Sequence, residues 1–294
     1  MNIDALSPLE NSVPIYMPDK DNETSLAVRQ FAKDNGFEYQ LNNPELVKYS
    51  WRNYKSLPAW LGATSPVATK DAYNIVSGTY MNYLFTMFLM WDDLTDGIQY
   101  KNPDKQQRIN YAKQQTTGIV HITLPKLFPQ IVLDSNKNDR IQSSIRTEYE
   151  KSQRVSLEGD FPRYFDLFVP SGLQIDALSL LAPNMMQLLK EHSGLFDVEF
   201  NGNKLILMTR NSLYDPQNMK LLDRALTEQL SYLNHILKSW DYTPKKPPLD
   251  TLKKSDAGGS VLKIGQLRMG AKAQIITITI GFIVFAFILI VLNS

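Results

Sequence analysis

Between Pro216 and Trp240, apolar residues recur at three- and four-residue steps. Met219, Leu222, Leu226, Leu230, Leu233, Leu237 and Trp240 fall on one side, with Ile236 at its edge. That spacing predicts a long helix with one buried stripe. A shorter helix is predicted from Glu23 to Asp34, capped by Asn22 or Thr24 and stopped at Gly36. Gln174 to His192 reads as helix, proline, helix, because Pro183 cannot continue a first helix but can open a second. From Tyr80 to Trp91 both alternating faces are largely apolar, which predicts a strand covered on two sides. In residues 117–124, Val120, Ile122 and Leu124 share a face, leaving Ile119, His121 and Thr123 on the other. Residues 161–169 read as a third strand. In residues 196–210, Phe196, Val198 and Phe200 alternate with Asp197 and Glu199, reach Asn201-Gly202, and return through Lys204–Met208. That pattern predicts a hairpin. Strands and helices without regular alternation predict an α+β fold with a mixed or antiparallel sheet.

The end of the chain breaks this pattern. Residues 275–292 read IITITIGFIVFAFILIVL, and fourteen of these eighteen are Ile, Leu, Val or Phe. On an insertion scale they favour the bilayer by about 4–8 kcal/mol. As a helix they rise about 27 Å, close to the hydrocarbon thickness. A transmembrane helix is therefore predicted over residues 273–293, anchored by Ile275, Ile276, Phe282, Phe285, Phe287 and Leu292. Lys263, Arg268 and Lys272 precede it and only Asn293 and Ser294 follow. The positive-inside bias then places the N-terminal body on the cytoplasmic side, as a single-pass tail anchor. Ala273, Thr277 and Gly281 recur every four residues, a spacing that admits helix pairing and a homo-oligomer.

Four segments follow from these patterns. Residues 1–20 hold Pro8, Pro14 and Pro18 without a period and predict an extended arm. Residues 21–243 form the α+β domain, and 244–272 a basic linker. Residues 273–293 form the span. The linker has seven basic and two acidic residues, a charge of +5. With a whole-chain charge of +1, residues 1–243 carry −4, which does not suit a nucleic-acid binder. The linker lysines suit attraction to anionic lipid. No signal peptide is expected, because the N-terminus lacks a basic and then apolar run.

Candidate chemistry is sparse. The chain has no cysteine, which excludes disulfides, thiolate zinc sites and cysteine nucleophiles. His121, His192 and His235 lie too far apart in sequence to form a metal-ligand pair. Asp92, Asp93 and Asp96 form D-D-x-x-D, the spacing of a Mg²⁺-diphosphate motif, although the following Asp-Gly predicts a turn. Asp134 opens a stretch like a calcium loop, but Asp139 replaces its glycine and Ile145 its bidentate glutamate. His121 beside a carboxylate could serve as a general base. The chain has no G-x-S-x-G elbow and no Gly-rich phosphate loop, so no cofactor is expected.

Val155 to Pro216 carries a further pattern. It reads VSLEGDFPRYFDLFVP, then QIDALSLLAPNMMQLL, then FDVEFNGNKLILM and YDP. It resembles an uncharacterised family of bacterial membrane-anchored proteins with a domain of unknown function. Phe161, Phe165, Ala177, Leu178, Leu181, Pro183, Met185 and Met186 match that family's pattern, and Phe31 to Gly36 and Ser77-Gly78 are similar. The resemblance implies a bacterial origin and a membrane location, with no activity and no catalytic residue. The family also includes other anchor placements. The expected function is a membrane-tethered interaction or scaffold module with an unknown protein partner. The alternatives are a metal-assisted enzyme using Asp92, Asp93 and Asp96, and a sensor of anionic lipid surfaces.

Overall fold

The computed structural model describes residues 1–10, 21–48, 69–93, 114–137, 151–157, 159–192, 194–209 and 213–243. Within them, seven strands form one antiparallel sheet with helices packed against it, an α+β architecture. The strands are β1 (Glu38–Asn42), β2 (Thr69–Tyr80), β3 (Tyr83–Asp93), β4 (Gln114–Ser135), β5 (Arg154–Val155), β6 (Phe165–Phe168) and β7 (Asp197–Thr209). The helices are α1 (Glu23–Asp34), α2 (Glu45–Lys48), α3 (Gln174–Leu180), α4 (Pro183–Glu191) and α5 (Pro216–Ile236).

The 22-residue β4 is the spine of the sheet. One of its edges pairs first with β3 and then with β6, while the other pairs with β7 along most of its length. The path β1-β2-β3-β4-β6-β5 completes the order. Pro125 and Pro129 lie inside β4, beyond the 117–124 stretch expected as a strand. They fit because the β7 register shifts between Thr123 and Phe128 and again between Phe128 and Ile131, where ladder donors are not needed.

Two strand expectations change. The stretch around Tyr80 is a hairpin rather than one strand. Tyr80 pairs with Tyr83, and Met81 and Asn82 take φ of +50° and +67°, the two-residue turn that suits strand twist. Conversely, the stretch expected as a hairpin forms one continuous strand, Asp197–Thr209. Both halves pair with β4, and Asn201-Gly202 makes a bend at the shifted register, with Gly202 at φ +59°.

The helices follow the apolar spacing closely. Asn22 caps α1 by accepting a hydrogen bond from Ser25 N at 2.7 Å, and Gly36 at φ +69° follows its last turn. Asp215 caps α5 through Gln217 N and Asn218 N. The whole predicted stripe of α5, from Met219 to Trp240, is buried. It meets Val76, Met87, Val120, Ile122 and Leu207 of the sheet in one cluster with α1, α3 and α4. Residues 1–10 correct the extended-arm expectation. They form a 3₁₀ helix, Asp4–Leu9, because Leu6 and Leu9 gain burial in this cluster. A second cluster, of Ala72, Ile75, Phe88, Met90, Ile119, Ile206 and Met208, joins Leu46 of α2.

A buried polar joint locks β2 to the helix side. Asn74 is the extra residue of a bulge in β2 and takes φ +51°. The fully buried Tyr214 hydroxyl donates to its carbonyl, and Tyr39 donates to its side-chain oxygen at 2.9 Å. The irregular backbone thereby keeps its hydrogen bonds.

Candidate functional site

The densest charged cluster among the described residues joins α4 to α5. Glu191 ends α4, and His192 is its C-terminal cap residue. Arg224 and Glu228 sit four apart on α5, so they share a face. Arg224 Nε donates to Glu228 Oε1 at 2.8 Å, and its Nη2 lies 3.1 Å from Glu191 Oε2. The His192 ring, buried, places Nε2 at 3.2 Å from Glu228 Oε2. The Arg224 hydrogen bond, helped by His192, holds the Glu228 carboxyl below the usual carboxylate range, and Glu228 in turn holds Arg224 up. Ligand atoms of Glu191, His192 and Glu228 lie within 4.8 Å of one another, a spacing that a divalent cation could use. Arg224 already supplies positive charge between the two carboxylates, so the arrangement acts as an ionic clasp between helices. Sequence reasoning passed over it. The only local signal is the Arg224–Glu228 spacing, and Glu191 and His192 arrive by tertiary packing.

A second polar group is built on β7. Asp197 and Glu199, which alternate with Phe196, Val198 and Phe200, are fully buried. Asp197 Oδ1 accepts from Ser135 N at 2.8 Å. Glu199 Oε1 accepts from Gln130 Nε2 at 2.9 Å and Asn201 Nδ2 at 3.1 Å. The bonds from Ser135 and Gln130 cross from β4 to β7 and hold the irregular end of the ladder together.

The described sequence candidates Asp92, Asp93, His121 and Asp134 are all strand residues of the sheet. Asp92 and Asp93 are the last two residues of β3, facing Lys70 and Thr69 of β2 and Gln115 and Gln114 of β4 in the ladder. They therefore lie in a strand. Asp96, with its following glycine, falls outside the described residues. Asp134 and Ser135, the start of the calcium-like stretch, are strand residues paired with Asp166 and Phe165. His121 packs edge-on against Phe88 at 5.4 Å and pairs across the ladder with Thr86 and Ile206. Burial, with the nearby Lys204 ammonium, lowers its pKa to about 4. It is a neutral imidazole at neutral pH, set among apolar neighbours and a lysine.

The positions that carried the family resemblance are mostly packing residues. Phe161 stacks on Phe165 at 5.5 Å, and Ala177, Leu181 and Met185 are buried. Leu178, with 45% exposure, and Pro183 are exposed. No helix among the described residues is long and apolar enough to cross a membrane. The anchor residues Ile275, Ile276, Phe282, Phe285, Phe287 and Leu292 lie outside them, as do Lys263, Arg268 and Lys272.

No protein-family model matches the chain, and no curated protein matches it. A solved structure similar to it is the mycobacterial trehalose monomycolate transport factor A. The two are 13% identical with a TM-score of 0.43, and the match covers 74% of this chain and 96% of that one. Nothing about activity follows from a likeness of that degree.

Proposed function

We propose that the α+β body is an interaction domain tethered to a membrane by residues 273–293 and held on the cytoplasmic side. The observation that carries this reading is the run of eighteen residues, 275–292, without a charged side chain, preceded by a linker of charge +5. Residues 244–272 number 29, giving a root-mean-square reach of roughly 30 Å if they behave as a flexible chain. The body could then meet partners on or near the bilayer. The polar groups of the described domain also support a binding role over a catalytic one. The α4–α5 clasp groups bond to one another, and Asp197 Oδ1 and Glu199 Oε1 accept hydrogen bonds from β4.

The absence of cysteine makes sidedness directly testable. A single Ser255→Cys substitution in the linker should react with a membrane-impermeant maleimide only after the cells are permeabilised. Labelling in intact cells to the same extent would reverse the proposed orientation. The metal-assisted alternative requires Asp92, Asp93 and Asp96 to bind Mg²⁺ together. Calorimetric titration of the chain with Mg²⁺ decides it, and no heat removes it.

A further inference from the structure

We infer that Glu191, His192 and Glu228 form a site for a divalent transition-metal ion, Zn²⁺, which takes over the α4–α5 clasp by displacing Arg224 from Glu191. The inference stands on side-chain geometry within the described domain and is independent of the tether. Two of the three donors already stand at coordination spacing. His192 Nε2 and Glu228 Oε2 are 3.2 Å apart. A tetrahedral Zn²⁺ bound to nitrogen and oxygen at about 2.0–2.2 Å sets its ligand atoms roughly 3.3–3.5 Å from one another. A carboxylate oxygen of Glu191 lies within 4.8 Å of both. It has to close by at most about 1.5 Å to complete the set. The Glu191 side chain is partly exposed at the end of α4, so rotation about its own bonds suffices.

The fixed donors and the movable competitor are different groups. The His192 side chain is only 5% exposed. Its backbone N–H donates to the Leu189 carbonyl at 3.2 Å, and its own carbonyl accepts from Leu195 N at 3.0 Å. The imidazole is therefore held from both sides of the chain. Glu228 lies within α5, whose Leu226 and Leu230 share one buried cluster with Leu189 of α4, so the two helices keep the donors facing each other. Arg224, by contrast, is 61% exposed. Its bonds to Glu228 Oε1 at 2.8 Å and Glu191 Oε2 at 3.1 Å are open to water, and such pairs are weak. Within the cluster, two carboxylates face one guanidinium and leave a net charge of −1. A divalent ion between the carboxylates balances them, and Arg224 can turn out to solvent.

The donor set selects the ion. One imidazole nitrogen with two carboxylate oxygens suits Zn²⁺, whereas Mg²⁺ takes oxygen ligands and keeps most of its water. The Mg²⁺ titration above therefore remains a test of the aspartates. Three protein ligands leave the fourth position of Zn²⁺ to water. The bound ion ties the end of α4 to α5 more firmly than the arginine does. Because the unfolded chain does not bring Glu228 to His192, binding raises the stability of the fold.

The test is calorimetric titration of the full chain with ZnCl₂, in detergent and a non-chelating buffer, on protein purified without a histidine tag. Wild type should bind a single ion. Arg224→Gln should bind it several-fold more tightly, because the competing charge is gone. That gain cannot come from misfolding. Glu228→Gln should weaken binding at least about tenfold. His192→Gln should abolish it, while His235→Gln, exposed and elsewhere on α5, leaves it unchanged. Zn²⁺ should also raise the unfolding temperature of wild type and Arg224→Gln but not of His192→Gln. No heat from either wild type or Arg224→Gln overturns the proposal. Equal or weaker binding by Arg224→Gln overturns it too, since Arg224 would then not compete for the site. Binding that survives His192→Gln does the same by placing the ion elsewhere on the chain.

Discussion

His121 makes the stability of the domain depend on pH in a defined window. Its imidazole sits on the sheet beside Phe88, with Lys204 two residues along β7 from its cross-strand partner Ile206. Burial, and secondarily Lys204, moves its folded pKa from 6.5 down to about 4. The unfolded chain takes up the proton near pH 6.5, while the folded chain refuses it until about 4. Between those values the unfolded state binds more protons, so stability falls as pH falls. At 1.36 kcal/mol per pH unit of separation, the full effect is roughly 3 kcal/mol, of which about 2 kcal/mol is lost between pH 7 and pH 5. The assay is urea unfolding of residues 1–243, which hold the whole described core, followed by circular dichroism at several pH values. His121→Gln serves as the reference, because it keeps every carboxylate and removes only this titration. The wild type should lose about 2 kcal/mol more than the variant on going from pH 7 to pH 5. Parallel pH profiles for the two proteins would refute the reasoning, since His121 would then titrate alike in both states.

Other consequences follow from single contacts. Tyr214→Phe removes the hydroxyl bound to the Asn74 carbonyl at the β2 bulge and should cost about 1–3 kcal/mol in the same unfolding assay. Gly118→Ala would set a methyl 2.6 Å from Leu213 Cβ and 2.9 Å from Thr209 Cγ2, so overpacking should cost about 1–3 kcal/mol. Arg224→Ala opens an exposed clasp, and solvent screening keeps its cost small at neutral pH. Because the Glu228 pKa is held down, that contribution is present above the ordinary carboxylate pKa. It disappears as acid protonates Glu228, so wild type and variant converge in acid. Replacing Lys263, Arg268 and Lys272 together with Glu removes the flanking positive charge. The maleimide reaction at Ser255→Cys should then shift toward the outside, and an unchanged labelling pattern would break the charge argument.

What could be read from the chain depended on whether local chemistry decides the local structure. The α5 stripe was legible because burial and helical period agree from Met219 to Trp240. The α1 cap and the Pro183 break were legible for the same reason: one residue satisfies or removes one backbone group. The sheet was harder. Asn201-Gly202 between two apolar runs signals a turn, yet β4 is long enough to pair with both runs, so the glycine relieves a bend. The real hairpin has Met81-Asn82 at its tip, without the glycine that usually marks positive φ. The strand expected over 117–124 runs on through Pro125 and Pro129, because register shifts against β7 absorb them. The polar clusters were least legible. Asp197 and Glu199 alternate with apolar residues and are buried as those are, because tertiary cover rather than alternation decides exposure. Glu191 and His192 meet Glu228 across 36 residues or more, a pairing no local pattern encodes. Asp92 and Asp93 continue the strand, which the Asp-Gly that follows had obscured.

The tether itself rests on the physical preference of residues 275–292 for hydrocarbon over water. Alkaline carbonate extraction of membranes from cells making either the full chain or residues 1–272 measures that preference. Integral insertion predicts that the full chain stays with the membrane pellet while the shortened chain is released. Release of both, or retention of both, would contradict the assignment of the anchor to this segment.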